Sequence, residues 1–135
     1  MGASELAKGA VINERFEVIE SLGSGGFGIA YLCRDGARGD HCVLKELFPP
    51  GSTRDQTGAV SLPAEGLAAL RLRQRFIEEA KIASRVVSSG VLPVRAAFQT
   101  NGTAYFATEY VRGAVSLSEA LAEDVVFEPG RARKL

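Results

Sequence analysis

Three features of the 135-residue sequence carry chemistry by residue type and spacing: the run Gly23-Ser24-Gly25-Gly26-Phe27-Gly28, a lysine within Cys42-Val43-Leu44-Lys45, and a glutamate within Phe76-Ile77-Glu78-Glu79-Ala80. Glycines spaced Gly-x-Gly-x-x-Gly clear side chains from the backbone N–H groups, which can then come close to phosphate oxygens. An ammonium inside an apolar strand is costly to bury alone and calls for an anionic partner. A carboxylate on the apolar edge of a helix, together with phosphate, would supply that partner.

The glycine spacing alone is shared by several kinds of site. A dinucleotide fingerprint needs its last glycine to open a helix, whereas Ile29-Ala30-Tyr31-Leu32 has strand character. A Walker A loop ends in Gly-Lys-Ser/Thr, and Gly28-Ile29-Ala30 offers neither cation nor hydroxyl. A strand, glycine turn and strand remain, either as a flap over polyphosphate or as a plain hairpin. Taken singly, Lys45 can snorkel along its stem and Glu79 can settle at the edge of its own helix.

The elements around these residues set their positions. Arg15 to Leu22 places Phe16, Val18 and Leu22 on one side of a strand, with Glu17, Ile19 and Ser21 on the other. The turn formers Asp35-Gly36-Ala37-Arg38-Gly39-Asp40 make residues 29–47 a hairpin in which Ala30 faces Lys45 and Leu32 faces Val43. Residues 48–66 hold Pro49-Pro50-Gly51-Ser52, Thr57-Gly58 and Pro63 and read as a long exposed connection. A helix over 67–87 gathers Leu72, Phe76, Ala80, Ala83 and Val87 on one face, which turns Glu79 inward and Glu78 to solvent. Asn101-Gly102 closes a second hairpin over 91–110, and Ser116-Leu117-Ser118-Glu119 has capping-box spacing for a short helix to Ala122. Residues 1–14 read as a flexible leader and 123–135 as a disordered basic tail.

Composition bounds the rest. With 46% hydrophobic and 24% charged residues the chain has an ordinary globular balance, and its 16 basic residues cancel 16 acidic ones. Formal neutrality gives no global case for nucleic acid or an anionic membrane as partner. No apolar run approaches the length of a bilayer span, and the start lacks a signal core, so a cytoplasmic location is expected. The two cysteines, Cys33 and Cys42, are expected to face each other as reduced packing residues, with a redox switch as the lesser reading.

From Arg15 to about Leu121 the residues resemble the amino-terminal lobe of eukaryotic-type protein kinases, especially bacterial serine/threonine kinases. Leu22-Gly23-Ser24-Gly25-Gly26-Phe27-Gly28 looks like the nucleotide-covering loop and Cys42-Val43-Leu44-Lys45 like the Val-Ala-Ile-Lys strand. The segment Phe76 to Ala80 is similar to the helix that presents the pairing glutamate, and Tyr105-Phe106-Ala107-Thr108-Glu109-Tyr110-Val111 to the last strand and hinge. The resemblance implies an α+β fold: a five-stranded antiparallel sheet with one packed helix, and a short helix after the hinge. It implies ATP as ligand, with Leu22, Ala30 and Val43 as roof, Thr108 as gatekeeper, and backbone groups of Glu109 and Val111 at the adenine edge. Lys45 and Glu79 would be a phosphate-positioning pair.

Two departures qualify what the resemblance implies. The usual roof valine is Ala30 and the usual alanine of the lysine strand is Val43, an exchange that keeps volume but alters shape. Nothing after the hinge resembles His-Arg-Asp or Asp-Phe-Gly, so catalytic and magnesium-binding Asp residues are not seen, and magnesium is expected only if a carboxy-terminal lobe is supplied. The expectation is therefore an ATP-binding portion of a serine/threonine kinase, inactive alone, as a truncated product or a piece completed by a separate lobe. Its expected partners are ATP and a protein at the face below the hinge. The alternative is a nucleotide-independent interaction module on the same scaffold.

Overall fold

The computed structural model describes residues 5–26, 28–85 and 94–110. The expected short helix at 116–122, the tail and Val111 lie outside these residues, as do Phe27 and Val87. Three long strands follow in order: β2 (Phe16–Ser24), β3 (Gly28–Asp35) and β4 (Asp40–Leu47), preceded by a two-residue β1 (Val11–Ile12). A small hairpin, β5 (Thr53–Arg54) and β6 (Val60–Ser61), leads to helix α1 (Gly66–Arg85), then β7 (Val94–Thr100) and β8 (Thr103–Glu109).

The main sheet is antiparallel in the order β1-β2-β3-β4-β8-β7. It thus has six strands rather than the expected five. The additional strand is β1, which pairs with the start of β2 because Asn13 and Glu14 both take left-handed conformations, φ 57° and 56°, and reverse the chain without a glycine to announce it. The presumed leader is consequently docked from residue 5 to 14, with Leu6 and Ile12 buried.

The two faces of the sheet carry different cores. Phe16, Val18, Ile29, Tyr31, Cys33, Cys42, Leu44 and Tyr105 pack on one face, and a Phe16–Phe98 ring stack at 5.8 Å shows that the sheet curls enough to bring β2 to β7. On the other face Phe76 and Ala80 of α1 pack on Leu47, Ala104 and Phe106. Helix formers dominate α1, and the spacing of Ala69, Leu72, Phe76 and Ala80 gives it one buried or half-buried stripe.

The strand-period reading of residues 15–22 needs correction. Phe16 and Val18 do share a face, but Leu22 packs with Ala30 and Val43 on the opposite one. Register shifts between Val18 and Glu20 and between Ser21 and Gly23 insert extra residues, and each insertion changes which way the following side chains point.

Residues 48–66 are not simply exposed either, since Pro49 and Val60 are buried and Arg54 reaches inward. Arg54 meets Glu46, whose carboxylate also accepts hydrogen bonds from the hydroxyls of Tyr31 at 2.8 Å and Tyr105 at 2.7 Å. Gly102, at φ 81°, lets the β7–β8 turn approach Val60, whose amide donates to the Asn101 carbonyl at 2.9 Å. Among the described residues no helix is long and apolar enough to cross a membrane.

Candidate functional site

The hairpin register brings the expected ligand-facing residues into a grid. Ala30 lies opposite Lys45, and Lys45 opposite Phe106; one row along, Leu32 lies opposite Val43, and Val43 opposite Thr108. Cross-strand partners share a face, so Ala30, Leu32, Val43, Lys45, Phe106 and Thr108 all line the side on which α1 packs. Leu22 joins Ala30 and Val43 in a small apolar cluster completed by Tyr110. The roof residues named from the sequence are therefore together.

The glycine run is a tight strand connection, closed by the Gly25 amide donating to the Gly28 carbonyl at 2.9 Å. Gly28 begins β3 and does not open a helix, which removes the dinucleotide reading. A Cβ on Gly28 would strike the Glu46 carbonyl oxygen and come within 3.0 Å of Lys45 Cε. The absence of a side chain at residue 28 is what lets β3 pass this close to the Glu46 carbonyl, with the end of the lysine stem alongside. Lys45 itself is only 2% exposed.

On α1 the two glutamates differ as their helical angles require: Glu78 is exposed and Glu79 half-buried, next to Phe76 and Ala80. Phe76 packs on Phe106 with ring centroids 5.4 Å apart, and Phe106 is the strand partner of Lys45. The helix rides mainly on β7 and β8, one strand beyond Lys45. Ion pairs among the described residues join Arg15 and Arg95 to Asp35, Arg95 to Asp40, Arg38 and Arg95 to Glu109, and Arg54 to Glu46.

The donor set suits a nucleotide base and its phosphates. Thr108 is buried and its Oγ1 meets no hydrogen-bond partner among the described residues, on the face where a heterocycle edge would offer one. Ala30 and Val43 are buried beneath Leu22 and Tyr110, an apolar cluster on the same face as Thr108. A separate open cleft borders the turn at Ser24 to Gly26, Phe48 and Ser52, away from Val43 and Thr108.

Sequence reasoning did not identify Arg95, Asp35 or Glu46 as placed residues. Asp35 is fully buried at the end of β3, and its carboxylate accepts from Arg15 at 2.7 Å and 2.9 Å and from Arg95 at 3.0 Å. Hydrogen bonding by Arg15 holds that carboxyl well below the usual range, against burial, which pushes the other way. Burial first, then the Glu46 carboxylate, pushes the Tyr31 and Tyr105 hydroxyls upward, so they remain donors to it.

No family model matches the chain. Serine/threonine-protein kinase PknD of Chlamydia trachomatis is 31% identical over 100 residues, which is 74% of this chain and 9% of that protein. The probable serine/threonine-protein kinase YbdM of Bacillus subtilis is 25% identical over 108 residues, 80% of this chain and 36% of that protein. The solved structure described as the PpkA-294 apo form superposes with a TM-score of 0.65 at 29% identity, covering 79% of this chain and 39% of that one. The kinase domain of Mycobacterium tuberculosis PknI, in its C20A_R136N double mutant, shares the fold at a TM-score of 0.55, with 24% identity. The chain spans well under half the length of each of these relatives.

Proposed function

We propose, from the premise that this chain is a homologue of bacterial serine/threonine protein kinases over an amino-terminal-lobe-like segment, that it binds ATP beneath the glycine turn. The observation that carries this reading is the placement of Lys45: buried at 2% exposure, on the same face as Ala30 and Val43, with its stem against Gly28.

In this reading Leu22, Ala30 and Val43 cover the base, Thr108 Oγ1 closes the back of the slot, and the Glu109 and Val111 backbone meets the adenine edge. Amides of Gly23, Ser24, Gly25, Gly26, Phe27 and Gly28 enclose the phosphates, Lys45 neutralises them, and Glu79 approaches from α1 to steady the lysine. Phosphoryl transfer further needs a group to orient the acceptor hydroxyl and carboxylates to hold magnesium, and the segment matched here supplies neither. The segment by itself binds the nucleotide without turning it over.

Calorimetric titration of the chain with ATP in the presence of magnesium tests the reading. Saturable heat with one site per chain is the expected result. A folded sample that gives no heat at millimolar ATP refutes it, and it then favours a scaffold that acts without nucleotide.

A further inference from the structure

We propose that Arg95 is a positioning residue for the adenine edge, holding the Glu109 end of β8 against the β3–β4 turn so that the base meets a backbone fixed in place. The inference rests on the nucleotide reading above.

The register of β7 against β8 shifts between Val94 and Ala96, which makes Arg95 the extra residue of a β-bulge. A bulge re-aims the side chain it carries, and this one sends a guanidinium beneath the end of the sheet, where its side chain is 1% exposed. Nη1 donates to Asp35 Oδ2 at 3.0 Å and to Asp40 Oδ1 at 2.9 Å, and Nη2 donates to Asp40 Oδ2 at 3.2 Å and to Glu109 Oε1 at 2.9 Å. One side chain thus joins the last residue of β3, the first of β4 and the last of β8.

The surroundings reinforce the clamp at both ends. Arg15 grips Asp35 from β2's side, and Arg38 reaches Glu109 Oε2 at 3.4 Å, so three arginines face three carboxylates and the cluster is neutral. Immediately after Glu109, Tyr110 packs with Ala30 and Val43 and edges against His41 at 6.5 Å. The clamped strand end is therefore contiguous with the roof of the slot. Charge-assisted, bidentate contacts fix geometry as well as energy, and a base that hydrogen-bonds to this backbone depends on that geometry, whereas the phosphates do not.

The test compares ATP with tripolyphosphate, which keeps the phosphates and lacks the base, by calorimetry on the full chain with magnesium. Arg95→Met is expected to weaken ATP binding roughly tenfold while tripolyphosphate affinity stays within about twofold, and Arg95→Lys to fall between Arg95→Met and the wild type. Equal weakening of both ligands would reduce Arg95 to a structural role, and unchanged ATP binding would overturn the proposal outright. If the Arg95 variants do not fold, Glu109→Gln, which alters a partly exposed carboxylate, decides by the same ratio. A wild-type chain that binds tripolyphosphate and not ATP removes the adenine site and this inference together. One that binds ATP with no discrimination by these variants removes this inference alone.

Discussion

Arg54 of β5 grips Glu46 through both terminal guanidinium nitrogens, at 2.6 Å and 3.0 Å, on the sheet face opposite α1. The Arg54 and Glu46 side chains are buried, at 4% and 0% exposure, and the carboxylate takes four donors in all, two from arginine and two from Tyr31 and Tyr105. Removing one member of such a pair strands a buried charge. Arg54→Met is expected to lower the free energy of unfolding by about 3 kcal/mol in urea titration, and adding Glu46→Gln should recover part of that loss. A loss below about 1 kcal/mol would mean the pair behaves as an exposed one.

Asp35 ties acid stability to the arginine clamp. Its folded pKa is depressed chiefly by the hydrogen bond from Arg15, so the stabilisation is complete above the unfolded carboxyl value and is lost as pH falls toward the folded one. The unfolding midpoint should start to fall below roughly pH 4. Asp35→Asn should be less stable at pH 7 and show a shallower acid limb. An acid limb identical to that of the wild type would assign it to other carboxylates.

Cys33 and Cys42 sit directly opposite one another on β3 and β4, both buried. Burial pushes the Cys42 thiol up to about 11 and drives Cys33 upward as well, so thiolate is scarce at neutral pH. Neither should react with a thiol-specific dye in the native state at pH 7.5, and both should react across the urea transition. Fast labelling of folded protein would contradict the packing reading.

Much of this arrangement was legible because it is local. The turn formers between Asp35 and Asp40 fixed the first hairpin, so Ala30–Lys45, Leu32–Val43 and Cys33–Cys42 fall in the register read from the sequence. Asn101 and Gly102, at φ 57° and 81°, form the expected tight turn. What escaped depends on residues far apart in the chain. Arg54 and Arg95 look like ordinary surface arginines until Glu46, Asp35 and Glu109 are brought beside them by strand pairing and a bulge. Leu22 reached the face of Ala30 and Val43 only because bulges in β2 broke the period of two, and a periodicity count has no way to register an inserted residue. The resemblance grouped Leu22 with Ala30 and Val43, and the structure packs the three together, which the strand pattern did not contain.

Lys45→Met separates the fold from the ligand. Methionine matches the length of the lysine stem and can lie against Gly28 and Phe106 in the same row, so the packing of that face is kept while the ammonium is lost. Ligand that binds only the folded chain raises stability by mass action, about 2.7 kcal/mol at a hundredfold excess over the dissociation constant. The wild type should show that gain with ATP, and Lys45→Met should show almost none. An equal gain in both proteins would place the phosphates elsewhere, because an ammonium that leaves nucleotide binding unchanged when removed is not in contact with them.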